Sequence, residues 1–228
     1  MKKLYIYGAG GLGREILELS ETVNKKNKIQ PEWDIAGFID DDETSAGLVY
    51  NGIPVLGGAE ILRGLSEPAD VILGIADTKI KEKIYNELKK NKLISFPKVL
   101  HPTAIVSGSS TISEGAVVFN SCFISVNTYM GRMCLMSAGS QLAHDSRLGD
   151  FCSVMPSVNI SGNVTISERV YIGVQAAIRQ GVSVGSGSVI GMGSVVIKDV
   201  PDNCTVAGNP AEKIFVKEGN QNGKVSLS

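Results

Sequence analysis

Histidine occurs only twice in this chain, as His101 and His144, and tryptophan only once. Two histidines cannot furnish a three-histidine zinc site, and no Cys-x-x-Cys pair supplies the thiolate alternative, so no metal is predicted. An excess of charge of one sign is missing too. The 22 basic and 23 acidic residues leave a formal net charge of −1, which makes no electrostatic case for nucleic acid or a membrane surface. No apolar run approaches the roughly 20 residues that span a bilayer. The opening Met1-Lys2-Lys3-Leu4-Tyr5-Ile6-Tyr7 reaches glycine at Gly8, too soon for a secretory signal, and reads as a first β-strand. Of the four cysteines, Cys122, Cys134 and Cys152 fall in one register of a repeat described next, where a free thiol acts as a small buried hydrophobe. Nothing here argues for export, and a reducing cytoplasm is the expected compartment.

What the chain does have is periodicity. From Val106 to Val196 every sixth residue is aliphatic or Met: Val106, Ile112, Val118, Ile124, Met130, Met136 and onward without a slip. Two residues before each of these the side chain is small or Val, as at Ala104, Ser110, Ala116, Cys122, Thr128 and Cys134. A period of six matches neither the 3.6 of a helix nor simple strand alternation; it is the signature of a parallel β-helix. Three six-residue units make a coil of 18 residues, so positions 104–199 form about five coils of a triangular prism. No insertion interrupts them. Open strand ends and rather apolar outer faces then call for stacking or oligomerisation.

The first 100 residues have a different grammar. The run Lys3–Tyr7 is followed by Gly8-Ala9-Gly10-Gly11-Leu12-Gly13 and then by a helical pattern through Ile16, Leu17 and Leu19. Strand, glycine turn and helix give a Gly-x-Gly-x-x-Gly match its meaning, because backbone N–H groups at a helix N-terminus can approach a diphosphate closely. A second strand, Trp33 to Ile39, ends in Asp40-Asp41-Asp42, where a carboxylate is placed to accept from ribose hydroxyls or a base N–H. Val71–Leu73 reads as a third strand, Ile80, Ile84 and Leu88 as a helix, and Phe96 to Leu100 as a short strand leading onward. A dinucleotide needs two such halves, and only one fits before the repeats, so a single nucleotide diphosphate is favoured over NAD. The alternative is that the glycines serve only strand-to-helix packing.

His144 falls two residues after Leu142, in a register otherwise held by residues such as Gly108, Glu114, Asn120, Arg132, Asp150 and Gly162. That register is a corner facing outward, which frees the imidazole from the core. With Asp145 beside it, the ring can act as a general base near neutral pH. His101 precedes Pro102 at the entrance to the first coil and reads as a boundary residue.

The closing Val206-Ala207-Gly208-Asn209-Pro210-Ala211, the half-Rossmann unit with Phe38-Ile39-Asp40-Asp41, and the His144-Asp145 pair together resemble the nucleotide-sugar acetyltransferases of the bacillosamine and perosamine type. The related sialic acid O-acetyltransferases share these features. The resemblance runs over roughly residues 3–216. It implies an α/β half-Rossmann nucleotide-sugar-binding domain over 1–100, an all-β left-handed parallel β-helix over 101–217, and a flexible tail over 218–228. It also implies transfer of an acetyl group from acetyl-CoA to an amine, or to a hydroxyl, of a nucleotide-activated amino sugar, with His144 as base and Asp145 as the adjacent acid. Substrate contacts are expected at Gly10, Gly11, Leu12, Gly13, Arg14, Asp40 and Asp41. CoA is expected between neighbouring subunits of a homotrimer, at Gly173, Val174, Gly191 and Met192, with Ser153 standing where relatives often carry a second histidine near CoA. Ser137 stands where they often carry asparagine. A non-catalytic assembly or nucleotide-sensing scaffold is the remaining alternative on sequence alone.

Overall fold

In the computed structural model, residues 1–26 and 32–214 are described; the expected tail over 218–228 lies outside them. The N-terminal unit is built from β1 (Lys2–Tyr7), α1 (Gly11–Lys26), β2 (Trp33–Ile39), β3 (Val49–Tyr50), β4 (Ile53–Gly57), α2 (Glu60–Arg63), β5 (Ala69–Leu73), α3 (Thr78–Leu88) and β6 (Ile94–Ser95). Its sheet runs in the order β3-β4-β2-β1-β5-β6, parallel except for the β3–β4 pair. Leu4, Ile6, Ile16, Leu17, Phe38 and Ile72 form a buried core between sheet and α1. The stretch from Phe96 to Leu100, expected as one strand, is divided. Ile94–Ser95 closes the N-terminal sheet, whereas Val99–Leu100 already pairs with Val117–Val118 of the prism.

The glycine turn separates into two kinds of position. A side chain on Gly13 would meet the Gly8 carbonyl oxygen at 1.8 Å, and Gly8 itself has φ +103°. These two are needed for the close seating of α1 on β1. Gly10 and Gly11 face open space, with nothing within 4 Å of where a Cβ would be.

Beyond residue 98 the chain winds through three parallel sheets of eight, six and five strands, whose members recur every 18 residues. The eight-stranded sheet also includes the closing hairpin of Thr205–Ala207 and Glu212–Lys213. We call them face 1 (Val117–Val118, Leu135–Met136 and equivalents), face 2 (Phe123–Ile124, Gln141–Leu142 and equivalents) and face 3 (Tyr129–Met130, Arg147–Leu148 and equivalents). The six-residue register fills the prism interior, with Val118, Ile124, Met130, Met136, Leu142 and Leu148 all fully buried. The small register explains itself through hydrogen bonds. Ser140, Ser146, Cys122, Cys134 and Cys152 each donate to the carbonyl 15 residues onward, those of Met155, Ser161, Ser137, Gly149 and Ser167. All four cysteines are free and buried.

From Ile112 to Ile190, three residues after each interior residue the backbone turns through the left-handed region, at Ser121, Asn127, Met133, Asp145, Phe151 and Ser157 among others. A non-glycine residue there costs on the order of 1 kcal/mol. The corner N–H recovers part of that by donating to the preceding coil, as Asp145 does to the Val126 carbonyl (3.1 Å) and Phe151 to that of Arg132 (2.7 Å).

The three faces have different fates. Outward side chains Val99, Val117 and Leu135 of face 1 join the N-terminal core, so the first domain lies over that face. Face 3 presents Thr111, Arg147, Thr165 and Ser183 to solvent. Face 2 leaves Ile105 and Phe123 exposed (64% and 42%). On face 1, α3 inserts Lys81, 1% exposed, so that its Nζ donates to the Cys152 carbonyl (3.1 Å) and Ser153 Oγ (2.8 Å). Arg169 pairs with Glu82, and the Tyr85 hydroxyl donates to Glu114, so α3 is fastened to the prism along its length.

Burial without a carboxylate partner lowers the Lys81 pKa to about 8, from an ordinary 10.5. The unfolded chain therefore holds this proton more tightly than the folded one. The resulting penalty is full below pH 8 and disappears as pH rises to 10.5. Lys81→Met should gain most over the wild type at pH 7, and that advantage should shrink by roughly 3 kcal/mol by pH 10.5; parallel curves in denaturant titrations would refute it. A second expectation concerns the glycine turn. Gly13→Ala should cost several kcal/mol and lower the melting temperature sharply, whereas Gly10→Ala should change stability by about 1 kcal/mol or less.

Candidate active site

Three groups of side chains emerge from this scaffold. The first is the glycine turn with the acidic end of β2. The Asp40 carboxylate folds back on the turn, taking the Ala9 N–H (2.8 Å) on one oxygen and the Asp42 N–H (3.0 Å) on the other. Asp41 accepts the Tyr7 hydroxyl (2.6 Å) and the Ala59 N–H (3.0 Å). Burial, reinforced by Asp41, pushes the Tyr7 phenol upward. Both acids thus fasten β1, β2 and the α2 approach together, and each oxygen keeps a further lone pair for a ligand donor. Leu12 packs its side chain against the N-terminal core. Arg14 lies over the Tyr50 ring, 5.2 Å from its centroid.

The second group runs along the edge between faces 1 and 2. A cleft of about 620 Å³ opens between α1 and this edge, lined by Glu15, Glu18 and Thr22 from the helix and by His101, Asn120 and Ser137 from the coils. That volume suits a small polar ligand. His101 Nδ1 accepts the Thr103 N–H (3.1 Å), and the residue is a wall of the cleft as well as a boundary. Ser137 is 8% exposed and its hydroxyl makes no hydrogen bond among the described residues. Further up the same edge, at 18-residue intervals, come Gly173 with Val174 and Gly191 with Met192. A side chain on Gly173 would strike the Met192 backbone nitrogen at 2.6 Å, and Met192 itself is 75% exposed.

Ser153 is not on this edge. It sits in the middle of face 1 beneath α3, fully buried, donating to the Ala76 carbonyl (2.7 Å) while accepting from Lys81. Ser153, expected near CoA, is thus covered by the N-terminal domain, and its hydroxyl is engaged within the chain as donor to Ala76 and acceptor from Lys81.

The third group occupies the edge between faces 2 and 3. His144 and Asp145 are exposed there, with side chains 51% and 53% accessible. His144 Nδ1 lies 2.9 Å from Asp145 Oδ2. An ionised carboxylate can only accept, so Nδ1 carries a proton, and in the neutral ring Nε2 is then the nitrogen with the lone pair. Hydrogen bonds from His144 and then from Asn127 hold the Asp145 carboxyl below the usual range. Asn127 Nδ2, one coil earlier, donates to Asp145 Oδ1 (3.1 Å). One coil later, Gly162 lies directly under the imidazole, and a Cβ there would fall 2.5 Å from Cε1 and Nε2. Neither Asn127 nor Gly162 was singled out from the sequence. The coil length alone, applied as 145 minus 18 and 144 plus 18, points to both.

Among the described residues no group of three His, Cys, Asp or Glu side chains is arranged to hold a metal ion. The glycine turn opens α1, and the same helix supplies Glu15, Glu18 and Thr22 to the cleft. The dyad is separated from them by the width of face 2, on the order of 15 Å for six residues with a turn.

With this geometry in hand, comparison with known proteins is decisive. Residues 3–88 match the PglD N-terminal domain family. The chain is 34% identical over 160 residues to GDP-perosamine N-acetyltransferase of Escherichia coli O157:H7, covering 70% of each. It resembles the solved acetyltransferase domain of PglB from Neisseria gonorrhoeae FA1090 in complex with acetyl coenzyme A, at 31% identity, with 93% of this chain and 99% of that one covered and a TM-score of 0.83. It also resembles PerB from Caulobacter crescentus in complex with CoA and GDP-perosamine, at 27% identity, 94% and 98% coverage and a TM-score of 0.82. The chain belongs to the nucleotide-sugar N-acetyltransferases, enzymes that set a Rossmann-like domain ahead of a left-handed β-helix and draw their acetyl group from acetyl-CoA.

Proposed function

We propose that this enzyme acetylates the amino group of a nucleotide-linked amino sugar, with His144 as the general base. The observation that carries the assignment is the Nδ1–H···Oδ2 contact of 2.9 Å, which in the neutral ring puts the lone pair on Nε2 at an exposed corner. In the reaction the sugar amine attacks the thioester carbonyl carbon and Nε2 takes the amine proton. The C–S bond then breaks, and the departing CoA sulfur receives the proton from the imidazolium. The products are the N-acetylated sugar nucleotide and CoA. Asp145 orients the ring and stabilises its charged form.

The nucleotide diphosphate is assigned to the N-terminus of α1, at Gly10, Gly11, Leu12, Gly13 and Arg14. Open space at Gly10 and Gly11 supports this, because a phosphate needs close approach to backbone N–H groups. Asp40 and Asp41 offer their remaining lone pairs to the nucleoside. CoA is assigned to the edge bearing Gly173, Val174, Gly191 and Met192.

Donor edge and base lie at opposite borders of face 2, so a complete site needs the dyad of one copy against the donor edge of another. Exposed Ile105 and Phe123 on that face support self-association. A head-to-tail contact of this kind can close into a ring, and with one such edge-to-edge contact per copy of the three-sided prism the assembly is read as a homotrimer. Four free cysteines and the need for acetyl-CoA fit a cytoplasmic location.

His144→Ala should lower kcat by about 10²- to 10⁴-fold while CoA still raises the melting temperature. Turnover near the wild-type level would sink the base assignment. Met192→Glu, which sets a charge on the donor edge, should also be inactive. Because each variant spoils a different border of face 2, mixed assemblies of the two should regain activity; failure to do so would count against a shared site. Acceptors differing only in amine or hydroxyl at the reacting carbon test the chemistry, and turnover of the hydroxyl form alone would replace N- by O-acetylation.

A further inference from the structure

The proposed base depends on a pose that His144 and Asp145 do not secure by themselves. Both side chains are half accessible to water, and an isolated surface pair of this kind rotates freely and contributes little. The coils on either side supply what is missing. Asn127 Nδ2 holds Asp145 Oδ1 at 3.1 Å, which turns Oδ2 toward Nδ1. The Asn127 main chain is anchored in turn, since its backbone N–H donates to Ser109 Oγ at 3.0 Å, so a short polar column runs Ser109, Asn127, Asp145. On the other side the ring rests on Gly162, whose backbone is not in the left-handed region. Alanine would therefore be acceptable to the main chain at 162, and the obstacle is the imidazole itself. The flanking turns contribute Val126, Asn127, Gly162 and Asn163, none of them charged. Asp145 is thus the ionisable group in contact with the ring among the described residues.

We infer that Asn127 and Gly162 are positioning residues, one coil before and one coil after the dyad, that fix the tautomer and the tilt of the His144 ring. This rests on the reading of His144 as base. Asn127 acts through Asp145: its amide removes one of the two rotational choices of the carboxylate and so keeps the proton on Nδ1. Gly162 acts by having no side chain, which lets the Cε1–Nε2 edge settle against the next coil instead of swinging into solvent.

With only two histidines in the chain, imidazole NMR gives two titrations, and His101→Gln assigns them. In Asn127→Ala the freed carboxylate spends less time on Nδ1, so the His144 midpoint should fall. In Asn127→Asp a second carboxylate should move it upward. The acidic limb of kcat/KM should follow in each variant, with kcat about tenfold lower in Asn127→Ala and both KM values unchanged. Gly162→Ala should lower kcat about 10- to 100-fold. Its effect on melting temperature should vanish in a His144→Ala background, since the clash is with that ring alone. Unmoved titrations with wild-type kcat would overturn the role of Asn127. Equal melting losses for Gly162→Ala in both backgrounds, or wild-type turnover in that variant, would overturn the role of Gly162. The titrations and melting temperatures are read without substrate. They therefore decide the positioning separately from the base assignment, which stands or falls on His144→Ala.

Discussion

Everything in this enzyme hangs on the stacking of one coil upon the next at an offset of 18 residues. Each face bonds the N–H of n to the carbonyl of n+17 through parallel backbone hydrogen bonds, as in Val117 to Cys134 and Leu135 to Cys152 (both 2.9 Å). Coils so joined sit less than about 5 Å apart, the ordinary spacing of paired strands. That spacing dictates composition at every level. The interior register must be filled by similar aliphatic volumes, because a misfit would be repeated up the stack. The small register must be small, because its side chain reaches a carbonyl in the next coil. Wherever a larger group leans along the axis, the residue 18 positions on must yield, as Gly162 does to His144.

A stack of this kind has three equivalent faces until something covers them, and the covering makes an enzyme of it. The N-terminal domain takes face 1, using Val99, Val117 and Leu135 as shared core and the α3 contacts of Lys81, Glu82 and Tyr85 as fasteners. Burying such an aliphatic side chain is worth about 1.5–3 kcal/mol, so the two units stabilise each other appreciably. Seating α1 there sets Glu15 and Glu18 along the cleft at the edge between faces 1 and 2. The substrate side proposed for the first turn of α1 therefore lies on the helix that forms one wall of that cleft. A buried lysine with no carboxylate partner is a costly fastener, and its hydrogen bonds to Cys152 and Ser153 determine where α3 docks along the coils.

How much of this was legible in the sequence follows from which interactions are periodic. The interior register, the corner exposure of His144 and the β2 boundaries at Trp33 and Ile39 could be read directly, since each expresses a local or repeating constraint. The β3–β4 hairpin left no such mark, because strands of two and five residues carry too little alternation to stand out. Ser153 shows the same limit from the other side. In the repeat it is one more outward strand residue, equivalent to Gln141 and Asn159 on face 2, which are exposed. Only the docking of a separate domain buries it. Asn127 and Gly162 were legible in principle, since 18-residue neighbours of the dyad touch it necessarily. Their importance becomes visible once the coil is treated as a two-dimensional lattice instead of a string of hexapeptides.

Asp145 shows why the dyad sits where it does. It occupies a left-handed corner position with φ 59°, a conformation disfavoured for any residue but glycine and more tolerable for Asp and Asn. The left-handed column through it reads Asn127, Asp145, Asn163, Gly181, side chains that either suit that backbone or, as glycine, have none. A short acceptor at the corner is therefore what the coil geometry favours on stability grounds, and the residue before it is directed outward by the same turn. Placing a histidine at that preceding position yields an imidazole with a built-in carboxylate at little further conformational cost. What the coil cannot do is shield the pair. A proton transfer gains from exclusion of water, and half-exposed side chains on a convex edge have no wall of their own to exclude it. The exposed apolar side chains of face 2 lie beside that edge, so the surface that most needs covering borders the group that most gains from being covered.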